Sequence, residues 1–356
     1  MRNKWMLWMI VIGALLAACG PTPAVSPVPE EGRTLTVMTH DSFDASKEVI
    51  AAFEESCQCK VQFLKSGDTG LMLNQAILSK ENPLADVIYG VDNTFLSRAL
   101  SGEILEAYRS PLLNDIPDAL KQDPTFHMLP VDYGDVCVNY DKNWFSEKGL
   151  APPADLPDLV RPEYKGLTVV ENAATSSPGL SFLFATIGRF GEEGEYTYLH
   201  YWAELRANEV LVADSWETAY WGNFTYTSDG DRPIVVSYAS SPPVEVYYAE
   251  AEFEEAPTGV MVADGSCFRQ VEFVGILKGT KNRDLAEKWV DFMLGVTFQE
   301  DIPLKMFVFP ANSQAALPEV FARFAEIPAQ PITLAPEAIE AHREEWVQAW
   351  TKTVLR

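Results

Sequence analysis

The chain has 356 residues, with 27 basic and 51 acidic side chains, a net charge of −24, and 47% apolar residues. So acidic a chain lacks the basic footprint that phosphate backbones require, which excludes nucleic acid as a partner. Its apolar and aromatic content is that of a folded protein, and its length predicts two lobes instead of one core.

Arg2 and Lys4 precede an apolar run from Met6 to Leu16, followed by Ala17-Ala18-Cys19. A basic head, a short apolar core and small residues make a secretory signal, and the run is shorter than the about 20 residues that span a bilayer. Leu16-Ala-Ala-Cys19 looks like a bacterial lipobox, in which Cys19 is lipidated and becomes the new N-terminus. The expected location is therefore extracytoplasmic, at a cell surface or in a periplasm, tied to a membrane by the lipid. Residues 20–34, with prolines at 21, 23, 27 and 29, favour extended conformations and read as a tether. Without residues 1–19, 25 basic residues face 51 acids, a charge of −26. Such a surface attracts cations at long range.

The folded body opens with a strand at Leu35–Thr39, a helix at Ala45–Ser56, a strand at Lys60–Leu64, a helix at Leu71–Lys80, a strand at Ala85–Tyr89 and a helix at Thr94–Ser101. This βαβαβ order predicts a parallel sheet whose ligands meet the carboxyl ends of the strands. Those ends carry His40, Asp41 and Ser42; Ser66, Gly67, Asp68 and Thr69; and Gly90, Val91, Asp92 and Asn93. Met128–Tyr140 reads as a strand crossing to a second α/β unit. There, strands at Leu167–Val170, Val210–Val212 and Pro233–Ser237 end in polar clusters at Ser176-Ser177, Asp214-Ser215-Trp216 and Tyr238–Ser241. Phe268–Leu277 crosses back, and helices at Asp284–Leu294 and Pro336–Leu355 close the chain. The α/β fold expected is a hinged two-lobed clamshell. Residues 35–133 with about 268–356 form the first lobe, and residues 134–267 the second.

Ser176-Ser177-Pro178-Gly179 before a helix supplies hydroxyls and free N–H groups suited to an anion, and is equally a plain helix cap. Trp216, Tyr220, Tyr238, Tyr247 and Tyr248 concentrate aromatics in the second unit, where ring faces suit an organic cation with Asp68 as counter-charge. Tyr220 reads as a packing ring. Four scattered histidines and one Cys57-x-Cys59 pair supply no metal-ligand spacing, so no metal is expected. No hydrolase or nucleotide motif occurs, so no cofactor and no enzyme activity are expected. Cys137 is a structural thiol, half of a disulfide, or a nucleophile.

In chain order, Leu35-Thr-Val-x-Thr-x-Asp-Ser-Phe43, Cys57-x-Cys59, Ala85-Asp-Val-Ile-x-Gly-x-Asp-Asn93, Val131-Asp-Tyr-Gly134, Tyr140-Asp-Lys142, Thr175-Ser-x-Pro-Gly179, Trp216-x-x-Ala-Tyr220, Ser237-Tyr238 and Ser241-Pro242 resemble the thiamine-binding components of bacterial ABC importers. The resemblance implies a class II solute-binding fold, thiamine or a thiamine phosphate as ligand, and an ABC permease and ATPase as partners of a monomer. It carries the ligand set onto His40, Asp68, Thr69, Ser176, Ser177, Trp216, Tyr238, Ala239, Ser240, Ser241 and Phe307. His40 and Phe307 stand where the family has Tyr and Trp, and Val244 where it has Tyr. Cys137 and Cys267 lie on the two crossing segments, which adjoin in that fold, and this implies a disulfide between them. A Cys57–Cys59 bridge would be strained, because its loop is very short, and the state of that pair stays open. Two rival readings share the fold: a ferric-ion binder using Tyr247-Tyr248, and a thiamine-degrading enzyme using Cys137.

Overall fold

The computed structural model describes residues 32–249 and 253–356. Cys19 and most of the expected tether lie outside the described residues. The strands are β1 (Arg33–Thr39), β2 (Cys59–Lys65), β3 (Val87–Asp92), β4 (Leu105–Glu106), β5 (Leu129–Asp141), β6 (Thr168–Glu171), β7 (Leu211–Ala213), β8 (Ile234–Tyr238), β9 (Thr258–Met261), β10 (Phe268–Leu277) and β11 (Phe309–Pro310). Their main path runs β2-β1-β3-β10-β5-β8-β6-β7.

Two parallel units sit at the ends of this path. β1 lies between β2 and β3, all parallel, and β6 lies between β7 and β8, all parallel. Helices Lys47–Cys57 and Thr69–Leu78 make the crossovers of the first unit, as parallel pairing demands. The long strands β5 and β10 join the units. β10 pairs antiparallel with β3 through Glu272–Ile276 and with β5 through Phe268–Val274. β5 then pairs with β8 through Val136–Tyr140. Two crossings thus carry one sheet through two lobes, the α/β clamshell architecture expected. At the crossings Cys137 is bonded to Cys267, and Cys57 to Cys59 where helix Lys47–Cys57 turns into β2.

The structure corrects several element bounds. β1 begins at Arg33, which pairs with Cys59 and forms an ion pair with Asp284 at 2.8 Å, so residues 33 and 34 belong to the sheet and not to a tether. β3 continues through Gly90 to Asp92, with β10 pairing at Val91 and Asp92; these residues are buried strand and not a loop beyond the strand end. Helices Tyr198–Ala207 and Pro242–Tyr248 go unassigned above, although Tyr198, Tyr201, Trp202 and Leu205 carry a helical spacing and are buried. The closing helix Pro336–Val354, grouped above with the first lobe, touches both: Trp350 meets Trp202 at 5.6 Å, and Arg343 lies 4.3 Å over Phe95. Among the described residues, no helix is long and apolar enough to cross a membrane.

Candidate functional site

The carboxyl ends of the strands converge on one cleft, with a cavity volume of about 170 Å³. β1 delivers His40. β2 leads to Asp68, which caps helix Thr69–Leu78 by accepting the Thr69 N–H at 2.8 Å. β6 leads to Ser176 and helix Ser177–Phe190, β7 to Trp216 at the start of helix Trp216–Tyr220, and β8 to Tyr238 and Ser241. His40, Asp68, Thr69, Ser177, Trp216, Tyr238, Ser241 and Phe307 line this cleft together. The lobes touch next to Thr69. Gly70 N–H donates to Thr175 O at 3.2 Å, and a Cβ on Gly70 would lie 2.8 Å from that oxygen. Gly90 similarly leaves room for the His40 ring, which a Cβ would meet at 2.2 Å.

Charge in the cleft is set by burial. Burial pushes the Asp68 carboxyl above the ordinary carboxylate range, offset in part by donation from Thr69 N–H and the proximity of Ser176, His40 and the Trp216 N–H. Burial opposes the His40 imidazolium, but Glu272, 3.6 Å away, outweighs it and raises the His40 pKa. Glu272 is buried too, yet the His40 charge and its hydrogen-bond donors hold its carboxyl below the usual range. Tyr89 donates to Asp132 at 2.5 Å, and burial and the Glu272 charge drive Asp132 well above the carboxylate range. Asp92 is raised to about 7 by burial, although Thr94 donates to it from N and Oγ1. The His40–Glu272 pair cancels internally. Among the described residues, Asp68 accepts from the uncharged N–H groups of Thr69 and Trp216.

The rings are braced from behind. Trp216 stacks on Tyr220 with centroids 4.9 Å apart and planes 15° apart. Its Nε1 donates to Ser237 Oγ at 3.0 Å, and Ser237 shares a hydrogen bond with Ser241 at 2.8 Å. Tyr220 is buried and donates to Glu245, whose carboxyl burial raises to about 8. It is the packing ring expected above. Tyr238 donates to Gln270 Oε1 at 2.7 Å, and Gln270 donates to Asp92 at 2.9 Å. Gly134 leaves room for the Tyr238 ring, 2.8 Å from where a Cβ would stand. Trp216 and Tyr238 are thereby held rigidly, each with surface on the cleft.

Other expected site residues have different places. Ser177 Oγ donates to Asp92. The buried Ser176 hydroxyl lies near Asp68, close enough to favour its charge but outside a regular hydrogen bond. Both hydroxyls at this helix start thus face carboxyls, Ser177 toward Asp92 and Ser176 toward Asp68. Ala239 is buried in a small cluster with Cys137 and Cys267 and does not line the cleft. Ser240 donates to the Phe307 carbonyl at 2.7 Å and holds that loop instead of facing the cavity. The Thr69 hydroxyl is spent on Gly90 O at 2.9 Å. Cys137 is buried and disulfide-bonded, so it is no free nucleophile. Of the tyrosine pair, Tyr248 lines the cleft and Tyr247 does not. Among the described residues, no group of three His, Cys, Asp or Glu is placed to hold a metal ion. Glu217, Trp221, Tyr248, Glu272 and Lys305 also line the cleft. Glu272 had a signal, since it is the one carboxylate in the otherwise mostly apolar strand Phe268–Leu277.

A family model described as a bacterial extracellular solute-binding protein matches residues 82–323. The chain is 31% identical to the thiamine-binding periplasmic protein of Salmonella typhimurium, covering 96% of this chain and 98% of that protein. It is 29% identical to the thiamine-binding periplasmic protein of Escherichia coli, covering 96% and 98%. A solved periplasmic thiamin binding protein is similar with a TM-score of 0.80 at 26% identity, covering 91% of this chain and 96% of that one. A ferric binding protein from Campylobacter jejuni shares the fold, with a TM-score of 0.70 at 18% identity over 90% and 99% of the two chains.

Proposed function

Because the chain belongs to the bacterial extracellular solute-binding protein family, we propose that its cleft captures thiamine and presents it to an ABC permease and ATPase. The observation that carries this reading is the pairing of the desolvated Asp68 carboxyl with the braced Trp216 indole in one cavity. Thiamine joins a permanently cationic thiazolium to a flat aminopyrimidine. A π-face and an anion are the two groups that recognise such a cation away from water. His40, Thr69, Ser177, Tyr238, Ser241 and Phe307 complete the proposed contact set, while Ser176, Ala239 and Ser240 support it from outside the cavity. Rotation of the lobes about β5 and β10 would bury the ligand, and the closed form is what an importer can distinguish.

The role is binding, not turnover. We assign the lipid anchor to Cys19, with a monomeric body divided at about residues 134 and 267. Titration calorimetry with thiamine, its phosphates and ferric ion tests the reading. Saturable one-to-one thiamine binding, with no visible absorbance on adding iron, is expected. Iron binding without thiamine binding would overturn it.

A further inference from the structure

Helix Pro242–Tyr248 turns Val244 and Tyr248 to the cleft from successive turns, as residues four apart on a helix share a face. Val244 is buried, but Tyr248 is 62% exposed, so the face of its ring is not consumed by the core. What lies beside it is another ring. Phe307 follows helix Ile302–Lys305 on a distant part of the chain, and its centroid is 5.9 Å from that of Tyr248, with the planes at 55°. The Phe307 backbone stands at φ +53, a left-handed conformation that a bulky residue rarely holds. The Ser240 hydroxyl, donating to the Phe307 carbonyl at 2.7 Å, fastens it there. Two segments are thus bound together in the geometry that leaves both rings on the cavity.

We propose that Tyr248 and Phe307 form a second aromatic wall, distinct from the Trp216–Tyr220 stack, which takes the second ring of a two-ring cationic ligand. The proposal rests on the thiamine reading. Trp216 already has one face against Tyr220, so a single ligand ring uses what remains beside Asp68. The two rings of thiamine are joined by one methylene and cannot both lie flat on one indole. The other ring needs its own surface. Tyr248 and Phe307 are too close together to admit a ring between them, so they act as one wall. Aromatic packing of this kind adds to the apolar burial itself. The same placement gives Tyr248 a use that needs no metal, because its neighbour Tyr247 does not reach the cavity.

The test is calorimetry on the full chain with thiamine and with a single-ring N-methylthiazolium bearing the same substituents. Tyr248→Ala is expected to weaken thiamine about tenfold while changing the single-ring cation less than about twofold. Tyr248→Phe, which keeps the ring, should bind thiamine within about threefold of wild type. Circular dichroism confirms that each variant folds. A Tyr248→Ala variant that binds thiamine like wild type overturns the second wall, as does equal weakening of both ligands. Failure of the wild-type protein to bind thiamine overturns the functional reading itself.

Discussion

The backbone N–H of Trp216 points at the Asp68 carboxylate, Oδ2 at 3.4 Å, across a sequence separation of 148 residues. The contact joins the two lobes and sets an anion beside an indole. Burial has already made that anion costly, since the Asp68 carboxyl is raised above its ordinary range. A cation that arrives there relieves the cost.

Asp68→Asn keeps the shape and removes the charge. It should weaken thiamine more than a neutral pyrimidine analogue, measured by calorimetry at one pH. The pH dependence follows in sign. Binding a cation lowers the carboxyl's pKa, so protons compete with thiamine. Affinity is full above the raised Asp68 pKa and falls as pH drops through it. Asp92, raised to about 7, and the His40–Glu272 pair titrate nearby. The informative comparison is therefore wild type against Asp68→Asn at each pH, with a flatter profile expected for the variant.

Trp216→Ala removes the ring face and leaves Tyr220 behind it. Desolvated cation–π contacts reach about 2 kcal/mol, which corresponds to at least about twentyfold in affinity. Trp216→Phe should recover part of the loss. Wild-type binding by a folded Trp216→Ala protein would place the ligand elsewhere.

Asp92 makes a prediction about stability. Its carboxyl is raised to about 7, so between the unfolded value near 4 and about 7 the folded state holds a proton that the unfolded state has released. Its contribution is therefore fully present below about 4, is lost progressively as pH rises from there, and is gone above about 7. Asp92→Asn should stabilise the fold by on the order of 1–3 kcal/mol more at pH 8 than at pH 4, read in urea unfolding at the two pH values. An equal shift at both pH values would show that packing, not charge, governs the site.

The Cys137–Cys267 bond closes a separation of 130 residues. Replacing both with Ser should cost about 2–5 kcal/mol, read in urea unfolding, without changing thiamine affinity, because neither residue lines the cleft. Recovery of two free thiols from native, oxidised protein would contradict the bond.

Cys19→Ala should release the protein from membranes while leaving ligand affinity intact, assayed by membrane fractionation. Undiminished membrane association would sink the anchoring proposal.

Much of this protein is local and therefore readable in its chain. The β-branched strand at Leu35–Thr39, the helix ended by Gly102 and the strand at Phe268–Leu277 carry their own periodicity. Polar clusters at strand ends marked His40, Asp68, Trp216 and Tyr238 because parallel strands must send their ligands to one edge. The ordered family phrases supplied the assignment to thiamine, which composition could not have reached. Tertiary structure alone decided which hydroxyls are free. Ser177 is taken by Asp92, Ser240 by the Phe307 carbonyl and Thr69 by Gly90, and each partner is distant in sequence. It also decided charge, since the titration of Asp68, Asp92 and Glu272 depends on which groups burial brings into contact. Desolvation and hydrogen-bond competition are properties of neighbours in space. A chain read in order shows the residues that can bond, and only the fold selects the bonds that are made.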